Sequence, residues 1–164
     1  MTDKNVSIMN IGSMGYLPQV FKKIENEKKL NIVYLGGSIT MGCNATKTEL
    51  RYVDRSAKWW QTNFPDAEIS YFNAGIGATT SQFGVARVQE HVLDKQPDLV
   101  FVEFSVNDSS SPLFMETYES LVRRLLKAES VKAVVLINNL FYDTGTNAQG
   151  IHNAIGLHYD LPIV

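Results

Sequence analysis

The stretch Asn31-Ile-Val-Tyr-Leu-Gly-Gly-Ser-Ile-Thr-Met-Gly42 is where the sequence says most about the architecture of this chain. Its apolar run, Ile32 to Leu35, has the length of a buried strand. The two glycines that follow let the backbone turn sharply, so Ser38 is predicted at the carboxyl end of that strand, where open α/β sheets bind their ligands. A simpler interpretation is a strand-to-helix loop in which Ser38 only caps a helix.

The rest of the chain alternates predicted strands with predicted helices. Apolar runs predict further strands at 67–73, 98–106 and 131–137, and a fifth that begins at 161. Apolar residues at helical spacing predict helices at 19–29, 56–64, 82–93, 113–128 and 147–159. This alternation predicts a three-layer α/β/α sandwich around a flavodoxin-like, five-stranded parallel sheet. We expect residues 1–28 to form a lead-in and first helix, and residues 29–164 to form the domain.

The composition limits the classes of partner. The chain has 164 residues, a formal net charge of −2 and one cysteine, Cys43. The length suits one domain, and the charge offers no basic surface to nucleic acid or to anionic membranes. One cysteine permits no internal disulfide, and we recognise no signal peptide and no membrane-spanning run. These features favour the cytoplasm.

Small polar residues follow three of the predicted strands. The segment 36–40 supplies a hydroxyl on a glycine turn, the segment 75–81 supplies exposed backbone N–H groups, and the segment 105–108 supplies the amide of Asn107. The carboxyl ends of parallel strands meet at one edge of a sheet, so these groups are expected to lie side by side. A nucleophile and several donors aimed at an oxyanion are the parts that acyl transfer requires.

These segments resemble the conserved blocks of the SGNH (GDSL-type) hydrolases, and most closely those of carbohydrate-esterase-like members. Gly36-Gly37-Ser38 resembles the Gly-Asp-Ser block, with glycine where aspartate is common. Asn73 to Ser81 resembles the second block, and Ser105-Val106-Asn107-Asp108 resembles Gly-x-Asn-Asp with serine replacing glycine. The resemblance covers residues 29–164 and implies the SGNH hydrolase fold.

The resemblance also implies roles for individual residues. Ser38 would attack an ester carbonyl, while the backbone N–H groups of Ser38 and Ala78 and the side chain of Asn107 would hold the oxyanion. Gly37 and Gly77 would be neighbours of this oxyanion site. No cofactor is implied.

The family's catalytic base is a histidine three residues after an aspartate, beyond the fifth strand. No Asp-x-x-His occurs in this sequence, so we expect the chain as given to lack its last few dozen residues, with its catalytic His and Asp. A partner chain or separate fragment could supply the block instead. We expect the three histidines, His91, His152 and His158, to be surface or helix-end residues.

Other polar residues have structural interpretations. Glu103 lies within an apolar strand, and we expect a buried ion pair with Arg51 or Arg87 that supports the site. Asp108 is expected to cap a loop or a helix. Cys43 is expected to be a small apolar filler, and no metal site is predicted because no His and Cys cluster has ligand spacing.

The resulting hypothesis is a serine esterase that hydrolyses O-acyl esters of carbohydrates, acetyl esters above all, with a small ester or an acylated carbohydrate as substrate. One alternative is a lipid or thioester acyl hydrolase with the same catalytic groups. A second alternative is a non-enzymatic nucleotide-binding or sugar-binding module, in which the glycine-rich turn at 36–42 would cradle a phosphate. The turn lacks the glycine and lysine spacings typical of nucleotide-binding loops.

Overall fold

The computed structural model describes residues 7–141 and 143–164. The helices are α1 (Leu17–Glu27), α2 (Ser38–Met41), α3 (Tyr52–Asn63), α4 (Ser81–His91), α5 (Pro112–Leu126) and α6 (Gln149–His158), with single 3-10 turns at Thr48–Leu50 and Leu93–Lys95. The strands are β1 (Lys29–Gly36), β2 (Glu68–Gly75), β3 (Leu99–Glu103) and β4 (Ala133–Leu136). Strands and helices alternate as the sequence predicts.

The four strands form one parallel sheet in the order β2-β1-β3-β4. In this doubly wound order, β1 lies inside the sheet and pairs with β2 on one side and β3 on the other. Its residues from Ile32 to Gly36 are all buried, which fits a strand covered on both faces. The α/β sandwich with a flavodoxin-like strand order is therefore confirmed.

The predicted fifth strand is reduced to two isolated bridges at one residue, Ile163. Ile163 pairs in parallel with Leu136 of β4 and antiparallel with Asn10 of the lead-in. Pro162 has no backbone N–H to donate, so only its carbonyl joins the ladder, accepting from Leu136 N at 2.9 Å. The sheet of the described residues accordingly has four strands and not five.

The core has two parts, one on each face of the sheet. The first contains Val33, Val102 and Phe104 with residues of α4, α5 and α6, and the second contains Tyr34 and Leu99 with residues of α1 and α3. The first helix thus shares a core with β1, and the division of the chain after residue 28 stays a prediction. No helix in the described residues is long and apolar enough to cross a membrane.

The carboxyl edge of the sheet is fixed by a close approach of two elements. A Cβ atom on Gly75, at the end of β2, would lie 2.2 Å from the backbone N of Met41 in α2. Asn73 adds two hydrogen bonds, from its amide to Thr40 O at 2.8 Å and from Gly75 N to its side-chain oxygen at 2.9 Å. These contacts hold the short helix that begins at Ser38 against the end of β2.

Candidate active site

Ser38 lies where the sequence predicts it, directly after the glycine turn that ends β1. It is the first residue of α2, and the N-cap position belongs to Gly37. The interpretation of Ser38 as a helix cap is therefore wrong, and its partly exposed side chain lines a cleft.

This cleft has a volume of about 700 Å³ and opens at the carboxyl edge of the sheet. The side chains that line it include Ser38, Asn44, Asn107, Asn138, Asn139 and Phe141. All the residues that line it in the described part of the chain are uncharged, and four are asparagines. The lining suits a neutral ligand rich in hydroxyl or carbonyl groups.

The three segments predicted to meet do meet beside Gly37. A Cβ atom on Gly37 would lie 2.9 Å from Asn107 Oδ1 and 3.4 Å from the carbonyl oxygen of Thr79. Asn107 Oδ1 is buried and has no hydrogen-bond partner among the described residues. Glycine at position 37 thus leaves room for the Asn107 side chain at the cleft. Its Oδ1 is an acceptor, so an oxyanion would bind the N–H donor of the same amide.

Ala78, the predicted backbone donor of the second block, has φ of 56°. This left-handed region favours glycine, and an alanine held there costs about 1–2 kcal/mol. The neighbouring Gly77 lies close to the side chain of Met41, with its Cβ position 3.4 Å from Met41 Cε. The turn therefore holds an alanine in a backbone conformation that glycine adopts more easily.

Asp108 caps a helix, as the sequence predicts. Its Oδ1 accepts a hydrogen bond of 2.9 Å from the backbone N of Ser81, the first residue of α4. Asp108 follows Asn107, and Ser81 follows the turn that holds Ala78. The cap therefore ties the third block to the end of the second.

The prediction for His152 is wrong, because this histidine is completely buried. Its Nε2 lies 3.1 Å from Asp108 Oδ2, and its ring stacks on Tyr118 with a centroid distance of 3.6 Å. The sequence carries no signal for this pair, since His152 and Asp108 are 44 positions apart. His152 has a structural role in holding α6 against the third block.

None of the three histidines of the chain lines the cleft around Ser38. His152 is paired with Asp108, while His158 is exposed at the end of α6 and borders a groove with Met115 and Glu119. His91 is partly buried at the end of α4, where its Nδ1 lies 3.3 Å from Arg87 Nη1. The described residues contain a candidate nucleophile and candidate oxyanion donors, but none of their histidines borders the cleft.

Glu103 is completely buried, but the predicted ion pair with an arginine is wrong. Its Oε2 accepts a hydrogen bond of 3.3 Å from Thr40 Oγ1, which also lies 2.9 Å from the hydroxyl of Tyr52. Burial raises the pKa of Glu103, while the Asn139 amide, the Thr40 hydroxyl and the Gly37 backbone N–H act in the opposite direction. Glu103 therefore supports the Ser38 turn through polar neighbours, without a cation.

The two arginines proposed as its partners have other contacts. Arg51 binds Asp54 with Nε–Oδ2 at 2.6 Å and Nη2–Oδ1 at 3.1 Å. Arg87 donates from Nη1 to Ala74 O at 2.7 Å and from Nη2 to Gly36 O at 3.1 Å. Both carbonyls lie at the carboxyl ends of strands, so Arg87 links β1 to β2 next to the site.

The prediction for Cys43 is also wrong. Its side chain is exposed and lines the cleft instead of filling the core, because it follows the left-handed Gly42 that ends α2. Among the described residues, no three His, Cys, Asp or Glu side chains are grouped to hold a metal ion.

The loop after β4 contributes residues that the sequence reasoning did not single out. Ser105 Oγ donates to Asn139 O at 2.9 Å and accepts from Asn139 N at 2.7 Å, which fixes this loop beside the third block. The amide of Asn138 donates to Asn153 Oδ1 at 2.9 Å. A run of two asparagines directly after a predicted strand, Asn138-Asn139, is the signal that could have identified this wall of the cleft.

The doubly wound fold, with three small polar segments at the carboxyl edge of its sheet, agrees with the result of comparison with known families. The chain belongs to the GDSL-like lipase/acylhydrolase family, whose family model matches residues 34–157. No curated protein gave a significant match to the chain.

Solved structures give the same result. Two crystal structures of a two-domain esterase active on acetylated mannans, one co-crystallized with mannopentaose, match 96% of this chain at 49% identity and a TM-score of 0.93. The chain spans 43% of the length of each. A catalytic mutant of an acetylxylan esterase from Geobacillus stearothermophilus matches 82% of this chain, and 75% of its own, at 18% identity and a TM-score of 0.67. The SGNH-hydrolase family esterase AlinE4 matches 83% of this chain, and 75% of its own, at 21% identity and a TM-score of 0.67. The last two likenesses concern the fold alone.

Proposed function

We propose that this chain is the nucleophile-bearing part of a serine esterase that removes acyl groups, in particular acetyl groups, from carbohydrates. The observation that carries the proposal is the meeting of Ser38 and Asn107 at one uncharged cleft, with the carbonyl of Thr79, next to Ala78, close to Gly37. The similarity at 49% identity to an esterase active on acetylated mannans supports the substrate class.

In this proposal Ser38 Oγ attacks the ester carbonyl, and the developing oxyanion is held by three donors. These are the backbone N–H groups of Ser38 and Ala78 and the side-chain amide of Asn107. Such donors act mainly in the transition state, where each is typically worth about 2.7–4 kcal/mol. Gly37 and Gly77 keep the approach to these donors open because they carry no side chain.

A serine hydroxyl is a weak nucleophile near neutral pH and needs a base within hydrogen-bond reach. We propose that this base is a histidine from outside the 164 residues, in the remainder of the full-length protein or in a partner chain. The proposal is supported by the positions of His91, His152 and His158, none of which borders the cleft. It also agrees with the greater length of the two-domain relatives.

The substrate class follows from the lining of the cleft. Asparagine side chains both donate and accept hydrogen bonds, which suits the hydroxyl groups of a neutral sugar. The exposed ring of Phe141 offers an apolar face at the same cleft. Leu140 beside it is also exposed, which is the observation that favours the alternative of a lipid or thioester acyl hydrolase.

The experiment is acetate release by the full-length protein from acetylated manno-oligosaccharides and xylo-oligosaccharides, with a long-chain nitrophenyl ester as the competing substrate. We expect the acetylated sugars to be turned over faster, and we expect Ser38→Ala to abolish turnover of every substrate. Ser110→Ala, a change at an exposed loop serine, is the matched control and should leave the rates unchanged. Faster turnover of the long chain would replace the sugar proposal by the lipase alternative, and a fully active Ser38→Ala protein would refute both.

A further inference from the structure

His152 and Asp108 form a buried polar pair directly beside Asn107 in the fold. Both side chains of the pair are 0% exposed. The Nε2 atom of His152 lies 3.1 Å from Asp108 Oδ2, and the histidine ring stacks on Tyr118 with a centroid distance of 3.6 Å. Burying polar groups costs free energy even when they are paired, and apolar side chains of similar volume often fill such a space at lower cost. The pair therefore needs a reason other than packing.

The contacts of His152 assign the hydrogen of the neutral imidazole to Nε2. A carboxylate only accepts hydrogen bonds, so the nitrogen that faces Asp108 Oδ2 has to donate. The other nitrogen, Nδ1, is buried and has no hydrogen-bond partner among the described residues. A hydrogen on Nδ1 would be a buried donor without an acceptor, and it would leave Nε2 without the hydrogen that Asp108 accepts. His152 accordingly presents one donor, and that donor points at Asp108.

Asp108 uses both of its carboxylate oxygens at the same time. Its Oδ1 accepts from the backbone N of Ser81 at 2.9 Å, and its Oδ2 accepts from His152. An asparagine at this position would have one acceptor oxygen and one NH₂ group, so it could satisfy only one of the two donors. The carboxylate therefore joins the third block to the start of α4 on one side and to α6 on the other.

Two contacts from the start of α6 hold the two ends of the third block. The backbone N of Ala148, the residue directly before α6, donates to the carbonyl oxygen of Ser105 at 2.7 Å. His152, in the first turns of the same helix, donates to Asp108. Ser105 and Asp108 are the first and last residues of the block, and Asn107 lies between them. The helix therefore fixes the segment that carries Asn107 on both sides of this residue.

We propose that His152 is a positioning residue that, through Asp108, fixes the Asn107 amide at the cleft. The inference rests on the proposed esterase function, in which this amide holds the oxyanion. Asp108 follows Asn107 directly, and the backbone N–H groups of both donate to Phe104 O at 3.0 Å. In so tight a turn, a shift of Asp108 moves Asn107 as well. His152 itself does not border the cleft, so it acts on the reaction only through this turn.

The test is a double-mutant cycle between His152→Leu and Asn107→Ala in the full-length protein. Leucine nearly keeps the volume of histidine but removes the donor, so we expect His152→Leu to lower kcat by about 10–100-fold through misplacement of the Asn107 amide, with KM little changed. In the Asn107→Ala protein the same change should lower kcat hardly further, because the group that His152 positions is absent. His152→Gln keeps a side-chain N–H donor and should recover part of kcat.

His158→Leu is the matched control, because it makes the same chemical change at an exposed position of the same helix. It should leave kcat unchanged. Losses that multiply in the double variant, losses that follow only the folded fraction, a His152→Gln protein no faster than His152→Leu, or a change confined to KM would overturn the inference.

Nuclear magnetic resonance tests the arrangement without activity. At about pH 8, where histidines ordinarily carry one ring hydrogen, the nitrogen resonances of the unchanged protein should show the hydrogen of His152 on Nε2. The side-chain amide resonances of Asn107 should move in His152→Leu, and less in His152→Gln, while those of the exposed Asn63 stay in place. A hydrogen on Nδ1, or unmoved Asn107 resonances, would refute the positioning role even if His152→Leu does not fold. An unchanged protein that releases no acetate, with the resonances as expected, would refute the esterase proposal alone.

Discussion

At the scale of single residues, the site is built from side chains that leave hydrogen-bonding capacity unused. Asn107 Oδ1 has no partner among the described residues although it is buried beside Gly37. A buried amide without partners costs free energy, and such groups are retained where a ligand binds. The N–H donor on the same amide is the group that an oxyanion would bind, so the removal of Asn107 should affect the reaction more than the fold.

We expect Asn107→Ala in the full-length protein to lower kcat by about 10²–10³-fold with a much smaller effect on KM, because the donor acts mainly in the transition state. Steady-state kinetics on an acetylated sugar measures this. Asn63→Ala is a suitable control, since the exposed Asn63 donates to Trp59 O at 2.8 Å, away from the cleft. An Asn107→Ala protein with raised KM and normal kcat would make Asn107 a substrate-binding group instead.

Glu103 should make the stability of the folded protein depend on pH. Burial raises the pKa of Glu103 in the folded protein above its ordinary value, so its ionisation is harder in the folded chain than in the unfolded chain. Stability is therefore greatest below the ordinary pKa and falls as the pH rises from that value to the raised one. Glutamine at this position has no such loss.

Glu103→Gln should accordingly be more stable than the unchanged protein at neutral pH, and the difference should shrink as the pH is lowered towards 4. Urea unfolding at several pH values measures it, with the exposed Glu116→Gln as control. Equal pH profiles for the unchanged protein and Glu103→Gln would show that the carboxyl is not disfavoured by burial.

At the scale of elements, the sequence predicts where the strands end. It does not predict the contacts that fix those strand ends to neighbouring elements. The apolar run Ile32 to Leu35 is sufficient to predict β1, because a strand buried on both faces is apolar at almost every position. Short α2 is not predictable in this way, since four residues carry no helical period. It forms because Gly75 lets Met41 approach the end of β2 and because Asn73 binds Thr40 O.

The glycines of α6 give a matched test of how this helix packs. A Cβ atom on Gly150 would contact nothing within 4 Å, whereas a Cβ atom on Gly156 would lie 2.6 Å from Ile163 Cδ1 and 2.8 Å from Leu136 Cδ1. Gly150→Ala should raise the free energy of unfolding by roughly 0.5–1 kcal/mol through helix propensity. Gly156→Ala should lower it by about 1–3 kcal/mol through overpacking.

Thermal and denaturant unfolding of both variants measures the difference. The expected result is an opposite sign for the same chemical change at two positions of one helix. If both variants gained stability, α6 would not pack against β4 and the Ile163 segment as closely as the structure has it.

At the scale of the whole molecule, the alternation of strands and helices was enough to predict the sandwich and the meeting of three loops at one edge. Contacts between distant segments were not predictable. His152 has the local pattern of an ordinary helical residue, and only the folded chain brings it to Asp108. The contacts of Glu103 were not predictable either, because an ion pair with Arg51 or Arg87 was expected. Arg87 instead donates to the carbonyls of Gly36 and Ala74, and Glu103 accepts from Thr40.

The central claim is that Ser38 is the nucleophile of this molecule, and covalent labelling tests it most directly. The full-length protein would be treated with a fluorophosphonate, digested and analysed by mass spectrometry, with Ser38→Ala and Ser110→Ala proteins in parallel. We predict a single label on Ser38, lost in Ser38→Ala and kept in Ser110→Ala. A label on another serine or on Cys43, or labelling of Ser38→Ala at the same rate, would contradict the account.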